Sequence, residues 1–206
     1  MPLRSAPLPR MAGHLSFMRA RTKAICDVMP GDLAVLGVPF EDISAPYAGQ
    51  SLAPRALRET SVYFGWHANP QFSHPVDIDA RQDIQTDGLH ERLCDLGDIS
   101  LGPDEAIQAT LKAAISQISR NGACAIILGG SDSLSETVQS AMPKCQTAQL
   151  GGIPRDARDF HVAPLPNGCA TTCKLETAAQ LARLSQWRDA SKPLFVRFDL
   201  SVFETS

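Results

Sequence analysis

One stretch constrains this chain more than any other. The apolar run Ala123-Cys124-Ala125-Ile126-Ile127-Leu128 ends in Gly129-Gly130 and a polar triplet, Ser131-Asp132-Ser133. A short, unbroken apolar run closed by turn formers predicts a buried strand of a parallel sheet. The two glycines permit a sharp turn and close backbone approach at the strand's C-terminal end, where open α/β sheets bind ligands. Ordinary turn chemistry accounts for the same residues. Ser133 with Glu136 predicts an N-cap and a helix that starts where the strand stops. Asp132 then stands at the strand's mouth.

Around this centre the chain alternates strand and helix. Leu33-Ala34-Val35-Leu36-Gly37-Val38 reads as a strand stopped by Pro39. Pro54 opens a helix over residues 51–59, and residues 61–90 read as a long connection with one short strand. Leu93-Cys94-Asp95-Leu96-Gly97-Asp98-Ile99 is a strand. Ile107, Leu111, Ala114, Ile115 and Ile118 repeat at helical spacing up to the Asn121-Gly122 stop. Residues 147–153 form a further strand, a helix runs from about Lys174 to Arg188, and residues 193–200 make the last strand, delivering Asp199 to the sheet edge. The pattern predicts an α/β fold with a mostly parallel sheet. Residues 1–30, rich in proline, arginine and methionine, are expected to be a flexible arm before a domain over 31–206.

The formal charge of -3 offers no broad basic field for nucleic acid, and no apolar segment reaches the length of a membrane helix. Six scattered cysteines without a secretory signal predict reduced thiols in an intracellular protein. The expected compartment is the cytoplasm, with mitochondria the alternative that the basic arm allows. Cys169 and Cys173 lack a second pair at zinc-site spacing. His67, His74, His90 and His161 are isolated in sequence, and no serine-elbow, dinucleotide or P-loop fingerprint is present. Asp98 reads equally as a loop or capping residue and as a functional one.

Taken in order, Leu36-Gly37-Val38-Pro39-Phe40, Gly49 with Pro54-Arg55-Ala56-Leu57-Arg58-Glu59, Asp95-Leu96-Gly97-Asp98 and Leu128-Gly129-Gly130-Ser131-Asp132-Ser133 resemble the ureohydrolase family of arginases, agmatinases and formiminoglutamases. The resemblance runs from about residue 33 to the C-terminus. It implies a three-layer α/β/α fold, truncated here after the strand carrying Asp199. It also implies hydrolysis of C–N bonds in guanidinium or related amidino groups by two manganese ions bridged by hydroxide.

The metal motifs depart from that family. Its first motif, Gly-Gly-Asp-His-Ser, reads Gly129-Gly130-Ser131-Asp132-Ser133, so Asp132 stands where the histidine ligand would be. Its second, Asp-Ala-His-x-Asp, corresponds to Asp156-Ala157-Arg158-Asp159-Phe160, with Arg158 for a histidine ligand and Phe160 for an aspartate. Its third, Asp-x-Asp, corresponds to Asp199-Leu200-Ser201, with Ser201 for the second carboxylate. A competing alignment makes Gln149-Leu150-Gly151-Gly152 a later family strand and removes the second motif. The family's glutamate for the substrate cation falls beyond the end of this chain.

Two hard divalent ions need many oxygen or imidazole donors. Asp132, Asp156 and Asp199 are three carboxylates, enough for one weakly held ion completed by water. Arg158 cannot ligate a metal and is expected to pair with Asp156 or Asp199 in its place. Three functions remain open: a non-catalytic structural or regulatory subunit beside an active paralogue, an amidinohydrolase with a reduced metal site, and a binder of a cationic guanidino compound. The expected cofactor is therefore none, or one weakly bound manganese ion. A homo-oligomer or companion subunit is expected because the strand bearing Leu194, Phe195, Val196 and Phe198 would otherwise keep an unpaired edge.

Overall fold

The structure, a computed structural model, describes residues 13–42, 48–64, 76–77, 82–83, 88–100, 104–142, 146–150 and 194–198. It divides into two compact units, Met1–Ala141 and Met142–Ser206.

In the first unit the strands are β1 (Arg21–Thr22), β2 (Leu33–Gly37), β3 (Val76–Asp77), β4 (Gln82–Asp83), β5 (Leu93–Asp98) and β6 (Cys124–Leu128). The helices are α1 (Ala53–Ser61), α2 (Leu89–Arg92), α3 (Asp104–Arg120) and α4 (Ser135–Ala141). Strands β1, β5, β2 and β6 form one parallel sheet in that order, and β3 and β4 form a separate antiparallel pair. Because β2 lies between β5 and β6, the connection through α3 skips one strand.

The pleat sorts the core into two faces. Val35, Leu93, Leu128 and Ala20 make one buried cluster, with Leu33, Leu57, Ile126, Phe17 and Met18 packed against it. Val28, Ala34, Cys94 and Ile118 make the other, with Ile25, Leu96, Ala123 and Ala125 beside them. Successive strand residues point to opposite faces, which is why Ala34 and Val35 belong to different clusters. Ile107, Leu111, Ile115 and Ile118 of α3 are all buried, as their helical spacing predicts. Each such side chain contributes about 1.5–3 kcal/mol by leaving water.

Two expectations are corrected. Over its described part, residues 13–30, the N-terminal segment is built into the sheet. Strand β1 pairs with β5, Ala20 and Val28 are buried, and Lys23 forms an ion pair of 2.6 Å with the buried Asp32. The outer edge of β5 needs hydrogen-bond partners, and β1 supplies them. The strand paired on both sides is β2, with Ala34 and Val35 fully buried, whereas among the described residues β6 pairs with β2 alone, with Cys124 exposed and Ile126 and Ile127 half-buried.

The second unit contains β7 (Gln146–Leu150) and β8 (Leu194–Phe198), paired in parallel with Gln146 opposite Leu194 and Leu150 opposite Phe198. The helix expected near residues 174–188 lies outside the described residues.

Candidate functional site at the C-terminal edge of the sheet

Strands β5, β2 and β6 end side by side, with Gly37 opposite both Asp98 and Leu128. After Leu128 the chain turns through Gly129 and Gly130, at φ of +69° and +88°. A Cβ on Gly129 would lie 2.5 Å from Pro54 Cδ and 2.9 Å from Ala53 Cβ, so the turn is packed directly against the start of α1. The amide of Ser131 donates to the Phe40 carbonyl at 3.1 Å. Asp132 then opens a 3-10 turn (Asp132–Leu134) that leads into α4.

The cap differs from the sequence reading. Ser133, the expected N-cap, lies inside the 3-10 turn, and it is the buried Ser131 that closes the turn. Its carbonyl accepts the Leu134 amide at 3.1 Å, and its hydroxyl oxygen accepts from the Ser133 amide at 3.4 Å and the Ser133 hydroxyl at 3.2 Å.

The strongest polar constellation described at this edge joins two of the sequence motifs. Arg58, on α1 and 5 % exposed, meets Asp95, on β5 and 1 % exposed. Arg58 Nε donates to Asp95 Oδ2 at 2.8 Å and Nη2 to Asp95 Oδ1 at 2.9 Å, a bidentate pair. Nη1 reaches Asp98 Oδ1, and Nη2 also donates to the Gly97 carbonyl at 3.0 Å. The Asp95 carboxylate accepts two backbone amides besides, from Phe17 at 2.7 Å and Gly97 at 2.9 Å.

A regular strand would put residues 95 and 98 on opposite faces. The register between β2 and β5 shifts after Val35, so that Gly37 pairs with Asp98, and Gly97 sits at φ +75°. This bulge gives β5 one extra residue and turns Asp98 to the side of Asp95. The close approach also requires a bare backbone at Gly37, where a Cβ would overlap Asp98 Oδ1.

Burial alone would raise the Asp95 pKa; hydrogen bonds from Arg58, Phe17 and Gly97, with the nearby guanidinium charge, outweigh it and hold the carboxyl below its ordinary value of 3.8. For Arg58 burial acts downward, but its bonds to Asp95 and Asp98 prevail and raise it. The pair is therefore ionised throughout the physiological range. Beside it lies a hollow of about 320 Å³, lined by His14, Leu15, Thr22, Arg55 and the cluster itself.

Of the expected site residues, the structure places the backbone of Asp132 at the mouth of β6. Asp156, Arg158, Phe160, Asp199 and Ser201 lie outside the described residues, as do His67, His74 and His161. Among the described residues no three His, Cys, Asp or Glu side chains converge as a metal-holding group. No helix among them is long and apolar enough to cross a membrane. The Arg58–Asp95 pairing was not anticipated from sequence, yet a signal existed: Pro54, Arg58 and Ser61 are spaced i, i+4, i+7 and all three are buried on one face of α1.

A parallel α/β sheet with a Gly-Gly turn at its C-terminal strand ends places the chain in the class of open α/β proteins. Within that class, the sequence profile of the Arginase family matches residues 31–160, and the chain belongs to that family. No curated protein matches the chain. Among solved structures it is similar to proclavaminate amidino hydrolase from Streptomyces clavuligerus, with 22 % identity over 79 % of this chain and 50 % of that one and a TM-score of 0.53. It is also similar to a hypothetical agmatinase from Burkholderia thailandensis, with 22 % identity over 68 % and 43 % and a TM-score of 0.51. These likenesses support the arginase-like α/β fold, and the chain spans about half the length of the solved structures it matches.

Proposed function

We propose that this member of the Arginase family does not run two-manganese hydrolysis and serves as a structural or regulatory subunit. The observation that carries the proposal is the donor set. At the positions resembling the family's second motif stand Arg158 and Phe160, a permanent cation and a hydrocarbon, neither of which can donate to a metal. Ser201 stands where the family's third motif has its second carboxylate. The remaining carboxylates, Asp132, Asp156 and Asp199, do not fit two adjacent hard ions, each of which must exchange most of its hydration shell for oxygen or nitrogen donors.

The described part of the edge supports a scaffolding role. Its buried cation is an arginine whose guanidinium is committed to Asp95, Asp98 and the Gly97 carbonyl. Such a knot holds α1 on the sheet and does no Lewis-acid work. A second reading keeps a reduced site, in which the three carboxylates hold one manganese ion for amidine hydrolysis; the aspartate at the mouth of β6 favours it.

The experiment is a urea-release assay on arginine and agmatine with the chain supplied with manganese, run beside affinity purification of the tagged chain from its own cells. The proposal expects no release above background and a partner subunit recovered in stoichiometric amount. Turnover that scales with added chain would establish the reduced-site enzyme instead.

A further inference from the structure

The N-terminal segment over residues 16–20 is a tight hook. Its hydroxyl and amides close on themselves: Ser16 Oγ donates to the Ala20 carbonyl at 2.8 Å, the Arg19 amide to the Ser16 carbonyl at 3.1 Å and the Ala20 amide to the Phe17 carbonyl at 2.9 Å. Two successive non-glycine residues, Met18 at φ +49° and Arg19 at φ +58°, are left-handed, a conformation that costs L-residues free energy at each position. Outward, the Phe17 amide donates to Asp95 Oδ2 and the Met18 amide to Ser61 Oγ, each at 2.7 Å. Both anchors end on side-chain oxygens rather than on a strand ladder.

We propose that this hook is a latch over the Arg58–Asp95–Asp98 cluster, opening as one body while the sheet stays folded and uncovering Asp95 beside the hollow. Opening breaks the bonds from the Phe17 amide to Asp95 and from the Met18 amide to Ser61 and leaves the cluster intact: Asp95 keeps both Arg58 donors and the Gly97 amide, and the Ser61 hydroxyl still donates to the Arg58 carbonyl. His14 and Leu15, which precede the hook and line the hollow, move with it. The stored backbone strain favours release, while burial of Ala20 and packing of Phe17 and Met18 against the core hold the latch shut.

The test is amide hydrogen exchange on the full chain, resolved at Phe17 and Met18 and compared with Val35 and Leu36 of β2. The hook amides should exchange at least about tenfold faster than those of β2. Ser61→Ala, which removes an anchor, should raise the hook-to-β2 rate ratio by roughly tenfold, the scale of one hydrogen bond. Phe17→Ala, which removes packing that holds the latch shut, should raise that ratio about tenfold or more. Equal rates at hook and strand, or a ratio unmoved by both variants, would overturn the proposal and make the hook a part of the core that opens only by global unfolding.

Discussion

Arg58 and Asp95 show how little a single residue's character says until its partner is known. An aspartate in the middle of a strand beside Leu93 and Cys94 has to be neutralised or hydrogen-bonded once buried. The sequence made that demand visible but not its answer, which lies 37 residues away in α1. Helical spacing from Pro54 to Arg58 to Ser61 distinguishes Arg58 from the exposed Arg55, which pairs with Glu59 at the surface. Truncating Arg58→Ala leaves Asp95 buried and unpaired and should destabilise the protein by about 3–5 kcal/mol in urea unfolding. A loss below about 1 kcal/mol would show that water reaches Asp95 freely. The same pair sets a pH dependence. Because the folded pKa of Asp95 is depressed, its contribution is complete above the unfolded value of 3.8 and is lost as pH falls through the lower folded value. Asp32, where burial acts upward but hydrogen bonds from Lys23 and Met29 prevail, has the same sign. The urea midpoint should therefore hold steady from neutral pH down to about 4 and then fall. A midpoint unchanged at pH 3 would contradict this account.

At the scale of elements, strong periodicity was legible and tertiary exchange was not. Strands β2 and β5 and helices α1 and α3 fall where apolar pattern and turn formers put them. The two-residue strand β1 has no pattern to read, since its place is set by the free edge of β5 and the Lys23–Asp32 pair. The apolar run of β6 marked a strand but not its pairing with β2, because such a run carries no information on which strand lies beside it. The turns offer a graded test. Gly97 and Gly129 both have positive φ, but a Cβ at Gly97 meets nothing within 4 Å, whereas one at Gly129 overlaps the Pro54 ring. Gly97→Ala should cost about 1–2 kcal/mol and Gly129→Ala clearly more, by the same unfolding measurement; the reverse order would mean that α1 is not packed on the Gly129 turn. Ser131→Ala, which removes the hydroxyl acceptor at the start of the 3-10 turn, should cost about 1 kcal/mol. The same substitution at Ser133 should cost less.

For the whole molecule, family and fold were readable because the four motif blocks keep their order, and the Arginase-family match over residues 31–160 agrees with them. Three of those blocks turn out to be mechanically joined: the Gly129 turn rests on Pro54, and Arg58 ties α1 to Asp95 and Asp98. The metal positions were readable only as substitutions, because Asp156, Arg158, Phe160, Asp199 and Ser201 fall outside the described residues. What the chain does therefore turns on stoichiometry. The most direct measurement is the manganese content of the purified chain, loaded with excess manganese, dialysed and analysed by atomic emission beside its protein concentration. A donor set of three carboxylates predicts well under two ions per chain, with any residual ion removed by mild chelation. Two ions per chain, retained through dialysis, would contradict the loss of the dimetal centre and restore the chain to the hydrolases it resembles.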